Sequence, residues 1–228
     1  MAGGGVMRQG RIMRKAFIVL AGLVIGLAII LILALPNLRA RIDPFVQTSD
    51  VEEVSFRVKG HGFKIPKAYI WYRPDLRGGE VEMILMHATT EGLHPYSEDL
   101  KGVFSMPQAA TQVVRFSINQ SSRNRFMHDE IVVNDGNACK AVSDGLSLCK
   151  EDNYKYIYRI DRAGGATLAC EKEILSPFLT SACTAYFRVA PNVVATAHLN
   201  DFPVEKTPQF IKELSDLIAS FSVERQKK

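Results

Sequence analysis

The sequence lacks most of the signatures that announce chemistry. No serine stands in a G-x-S-x-G elbow, no glycine-rich loop is built for a phosphate, and no pair of cysteines has the close spacing of a zinc knuckle. Four cysteines in 228 residues are too few for a disulfide-dense miniature scaffold. An apolar content of 47% excludes a disordered chain. Acidic residues are missing from the first fifteen positions, where Arg8, Arg11, Arg14 and Lys15 hold the whole net charge of +4; beyond them 24 basic residues face 24 acidic ones. The charge is therefore no footprint for nucleic acid, and Lys155-Tyr156-Ile157-Tyr158-Arg159 alternates like a strand rather than forming a stacking platform for bases. The length suits one sizeable domain and an appendage.

What the sequence does contain begins with Ala16 to Leu35, twenty residues without a charged or hydrogen-bonding side chain. As a helix they extend about 30 Å, the thickness of a bilayer's hydrocarbon core. A buried core helix of this length normally keeps a polar stripe, which this one lacks. The basic flank before it predicts a cytoplasmic N-terminus and sends the rest across the membrane. A cleaved signal peptide would have a shorter apolar core and a small-x-small exit, whereas this core ends in Ala34-Leu35-Pro36-Asn37. The expectation is a single-pass, uncleaved signal-anchor: a basic tail at 1–15, a transmembrane helix at 16–35 in the lipid bilayer, a tether at 36–50 and a periplasmic domain at 51–228. Gly22 and Gly26 form one small-xxx-small step on which a second helix could pack.

All four cysteines lie beyond the span, on the side where oxidants keep thiols paired. Counting alone allows three connectivities. Cys139 and Cys149 bracket two short apolar runs around Ser143-Asp144-Gly145, and Cys170 and Cys183 close a comparable loop, so these two pairs are the expected disulfides. The rest reads as a mainly antiparallel β domain of the α+β class. Hairpins are expected at Val54–Val58 with Phe63–Ile65, at Tyr154–Ile160 with Ala166–Cys170, and at Thr184–Val189 with Val193–Leu199. Further strands are expected at Ala68–Tyr72, Val81–Ala88 and Thr111–Ile118. An amphipathic C-terminal helix is expected with Phe210, Ile211, Leu214, Leu217, Ile218 and Phe221 on one face, Thr207 as its N-cap and Pro208 at its first position.

Residues 89–110 show no clean period beyond a short helix around Ser97–Val103, and long irregular stretches in compact domains tend to be functional. His94, Tyr96, Phe104 and Met106 are the candidate partner-binding residues there, as exposed aromatics and their neighbours suited to protein recognition. His87, Glu91 and His94 would share a helix face as metal ligands, but Gly92 and Pro95 interrupt such a helix. No catalytic residue, metal site or cofactor is implied.

Two patches carry a resemblance. One is Phe63-Lys64-Ile65-Pro66 with Tyr69, Gly78-Gly79 and Pro95-Tyr96-Ser97; the other is Cys170, Cys183-Thr184, Phe187, Leu214, Leu217-Ile218 and Ser220-Phe221. Together they resemble a poorly characterised group of proteobacterial, membrane-anchored periplasmic proteins, some similar to immunity proteins that bind toxins delivered into the periplasm. The resemblance implies a cell-envelope binding protein of the bacterial inner membrane, without catalysis, whose partner is another protein; no functional residue carries over from it. The alternatives are an accessory subunit of an inner-membrane complex, packed through Gly22 and Gly26, and a metal-dependent hydrolase around His87, Glu91 and His94.

Overall fold

A computed structural model describes residues 44–105, 112–121, 139–151, 155–161, 165–172 and 181–224. From Phe45 onward they belong to one compact unit, which includes residues 45–50 of the expected tether. The Val46 amide already donates to the Trp71 carbonyl (2.9 Å), and the Asp50 carbonyl accepts from Ala68 (2.8 Å). No helix among the described residues is long and apolar enough to cross a membrane; the span expected at 16–35, with Gly22 and Gly26, lies outside them.

A small sheet is built from β1 (Glu53–Val58), β2 (His61–Pro66) and the two-residue β3 (Gly79–Glu80), in the order β2-β1-β3. Its hairpin turns on Lys59 and Gly60, both at positive φ (49° and 84°), the geometry of a tight turn that follows strand twist. The large sheet contains β4 (Met83–Thr89), β5 (Val113–Gln120), β6 (Lys140–Ser143), β7 (Leu146–Glu151), β8 (Lys155–Ile160), β9 (Ala166–Glu171), β10 (Ala182–Ala190) and β11 (Val193–Asn200). Its order is β4-β5-β11-β10-β9-β8-β7-β6, antiparallel throughout.

Alternation along these strands divides their side chains between two faces. Met86, Phe116, Ala195, Phe187 and Leu168 point into the core, where they meet β1, β2 and the helix α2 (Thr207–Ser220). Phe210, Ile211, Leu214 and Ile218 of α2 are buried, each contributing about 1.5–3 kcal/mol through the area taken from water. On its outer side Lys212 pairs with Asp216 and Gln209 with Glu213, one turn apart. Thr207 does not cap this helix. It lies inside the first turn and its hydroxyl donates back to the Pro203 carbonyl (3.4 Å), while Lys206 stands at the cap position without a side-chain bond. Past the helix the Phe221 carbonyl accepts from Lys64 (2.8 Å), and Val223 donates to Gly62, fastening the C-terminal segment to β2.

Cys139 is bonded to Cys149 and Cys170 to Cys183. In the second pair the β9–β10 register sets the two residues directly opposite. The first pair lies one step beyond the Lys140–Leu148 pairing, across the Asp144-Gly145 turn.

The strand expected at Ala68–Tyr72 is instead a 3-10 turn at Lys67–Tyr69 followed by single bridges, Ile70 to Met86 and Tyr72 to Phe45. Ala68 and Ile70 alternate inward because this segment covers the open edge of β4. Asp75 completes the cover: its Oδ2 accepts the Leu85 amide (3.1 Å), and burial raises its carboxyl above the usual range.

Candidate functional site

Side chains on the outer face of β4, β5 and β11 form a row that sequence spacing does not reveal. The registers place His87 opposite Arg115, Arg115 opposite His198, and His198 opposite Thr184 of β10. Their strand neighbours Met86, Ala88, Val114, Phe116, Ala197 and Leu199 are core residues, so the row faces the other way. Thr184 Oγ1 and His198 Nδ1 lie 3.3 Å apart. Below the row, Asn119 Nδ2 donates to Ser117 Oγ (2.8 Å) and Thr196 Oγ1 (3.3 Å), a buried polar group satisfied within the sheet.

A second wall stands against this face. Trp71 donates its amide to the Leu85 carbonyl (3.0 Å), which fixes the indole beside β4. Phe45 stacks on Trp71 with centroids 4.1 Å apart, and the Arg115 guanidinium carbon lies 4.4 Å from the indole centroid. From the short helix α1 (Lys101–Ser105), Phe104 meets His87 edge-on at 4.8 Å, and Gln47 Nε2 holds the Phe104 carbonyl at 3.2 Å. The walls enclose a cleft of about 370 Å³. Leu85, Val113 and Phe104 give it apolar surface; Arg115, His87, His198, Asn200, Gln47 and Ser117 give it polar surface. No carboxylate lines it among the described residues.

The electrostatics follow from burial. His87 is pushed down to about 4, chiefly by desolvation and further by the charge of Arg115, against a hydrogen bond to the Ala68 backbone that favours the charged form. His198 is lowered by the same two causes, burial first. Both imidazoles are neutral near pH 7, and Arg115 is the one formal charge among the described lining residues. His87 Nε2 is buried without a hydrogen-bond partner. The arrangement offers donors and a single cation to a ligand.

The sequence-expected site residues fall elsewhere or play other parts. Tyr96 and Phe104 are not exposed aromatics: they are buried, with Val113, in a small cluster beside the main core. Their rings meet at 5.5 Å, and the Tyr96 amide donates to the Ala68 carbonyl. His94 is exposed on a turn closed by Thr89, whose Oγ1 accepts the His94 amide (2.9 Å). Met106 lies outside the described residues. The helix face on which His87, Glu91 and His94 would meet does not form, and the chain turns at Gly92 as its sequence suggests. Gly92 and Leu93 both have positive φ (71° and 52°), so Glu91 and His94 turn away from β4 while His87 stays buried in it. No group of three potential metal ligands occurs among the described residues.

Two solved structures match this architecture. One is FrpD, an iron-regulated outer membrane lipoprotein of Neisseria meningitidis, at a TM-score of 0.53 and 12% identity, over 78% of this chain and 96% of that one. The other is Smlt3025, an immunity protein of the Stenotrophomonas maltophilia type IV secretion system, at 0.53 and 13%, over 75% and 94%. The chain shares their fold. At such identities the likeness speaks for the fold alone. No family model and no curated protein matches the sequence.

Trp71, Arg115 and His198 are the residues that sequence reading missed. Their signal was a lone polar or aromatic side chain within an otherwise apolar run: Arg115 in VVRFSIN and His198 in VVATAHLN.

Proposed function

We propose that this chain is a cell-envelope binding protein without catalysis, an immunity-type protein that neutralises a protein toxin in the periplasm. On this reading residues 16–35 hold it in the bacterial inner membrane, the N-terminus is cytoplasmic, and the folded unit faces the periplasm. The observation that carries the reading is the fold shared with an immunity protein and an outer membrane lipoprotein over 94% and 96% of their lengths. The two disulfides support it, since paired cysteines persist in an oxidising compartment. With both pairs closed there is no free thiol among the four cysteines. Recognition would then rest on surface complementarity between preformed faces.

Affinity capture of the full chain from membranes in mild detergent tests the reading. A stoichiometric protein partner is expected, retained after Gly22→Leu and Gly26→Leu are combined, because a toxin binder does not depend on its span for recognition. Recovery of no partner contradicts the proposal. Loss of the partner in the double glycine variant would instead favour an accessory subunit packed through its membrane helix.

A further inference from the structure

We propose that the cleft on β4, β5 and β11 binds a small organic carboxylate, its anionic end on Arg115 and Asn200 and its apolar body against Leu85 and Phe104. This goes beyond toxin neutralisation and does not depend on it: either can fail while the other stands.

Charge gives the first argument. Arg115 has its contact with Trp71 but no ion pair with any described residue, and no carboxylate lines the cleft among those residues. Held by the indole, the guanidinium loses little further freedom when its donor fork meets a planar carboxylate. Asn200 gives the second. Its side-chain amide hydrogen-bonds no other described residue, and it follows His198 by two positions on β11, on the same face and diagonal to Arg115. Diagonal neighbours in antiparallel strands are about 7–8 Å apart, near enough for both side chains to reach one bound group.

Size and polarity narrow the ligand. A volume of about 370 Å³ falls within the range of small-molecule sites and is far more than a bare halide fills. A neutral apolar guest would cover the guanidinium and the Asn200 amide without replacing their water, which is costly. A cation would be repelled. The two histidines are uncharged at neutral pH, so one positive charge faces the guest, which suits a monoanion better than a phosphate dianion.

Trp71 is the chain's one tryptophan, so its emission reports on this cleft. The full chain in a nonionic detergent is titrated with isocaproate, isocaproamide and inorganic phosphate at pH 7.5. Isocaproate is expected to give a saturable change in Trp71 emission, with the amide and phosphate at least about tenfold weaker, as the loss of a charge-assisted bond predicts. Arg115→Gln is expected to abolish the preference for the acid over the amide, and Arg115→Lys to weaken it. Because changes at Arg115 also alter the surroundings of Trp71, Asn200→Leu supplies an independent reading and is expected to weaken isocaproate several-fold. Absence of a saturable response, equal binding of acid and amide to the unaltered chain, or phosphate binding as tightly as isocaproate would overturn the assignment.

Discussion

His87→Phe removes one titrating group from a buried position and leaves its volume nearly filled. In the folded protein burial holds the His87 imidazole down at about 4, against about 6.5 in an unfolded chain. Between those two values the unfolded state takes up a proton that the folded state refuses. Stability from this group is thus complete above pH 6.5 and is lost as pH falls toward 4. Between pH 7.5 and 4.5 the loss comes to about 2–3 kcal/mol, since each unit of displacement is worth about 1.4 kcal/mol. Phenylalanine keeps the aromatic contact with Phe104 and removes an Nε2 that has no partner. The Ala68 carbonyl still accepts from Tyr96, so the hydrogen bond lost with the imidazole strands no buried acceptor there. Asp75 and His198 titrate in both proteins and cancel in the comparison. Urea unfolding of the full chain, followed by Trp71 emission, gives the stability of each protein at the two pH values. The difference between them is expected to shift by about 2–3 kcal/mol in favour of the variant at pH 4.5. Equal pH dependence in both proteins would refute the burial argument.

Four further outcomes follow from local geometry. Gly78 sits at φ 66° with Ser55 O only 2.5 Å from where a Cβ would stand, so Gly78→Ala is expected to cost more than about 1 kcal/mol in urea unfolding. Gly102 in α1 has open space around that position, and Gly102→Ala is expected to stabilise by up to about 1 kcal/mol in the same assay. Replacing Cys170 and Cys183 together by Ala frees a loop with a sequence separation of 13 in the unfolded chain, with an expected loss of about 3 kcal/mol at unchanged pH. Leu214→Ala, at a fully buried site between α2 and the sheets, is expected to lower the unfolding free energy by about 2–5 kcal/mol.

Much of the fold was legible because its information is local. Lys59-Gly60, Asp144-Gly145 and Pro191-Asn192 mark turns by residue type, and each joins strands whose apolar residues alternate nearby. The cysteine pairs were legible for the same reason: each spans a single short loop. The helix face of Phe210 to Phe221 follows from period alone, whereas its start does not, because a 3-10 turn at Val204–Lys206 leads directly into the helix and puts Thr207 inside its first turn. Ala68–Tyr72 misled because a covering segment that buries alternate residues has the same period as a strand. The cleft was not legible. Arg115 meets His87 and His198 only through the order β4-β5-β11, and that order depends on pairings far apart in the chain. The lack of period around Tyr96 and Phe104 reads as an exposed loop, whereas Tyr96 from the irregular stretch and Phe104 from α1 both pack on Val113 of β5.

Growth tests the proposed toxin neutralisation by the folded unit most directly. The partner captured with the chain is exported to the periplasm of a test host, alone and together with the full-length chain. Arrested growth is expected with the partner alone, and normal growth when the chain is present. A partner that leaves growth untouched when exported alone, or a toxic one that the chain fails to restrain, would contradict it.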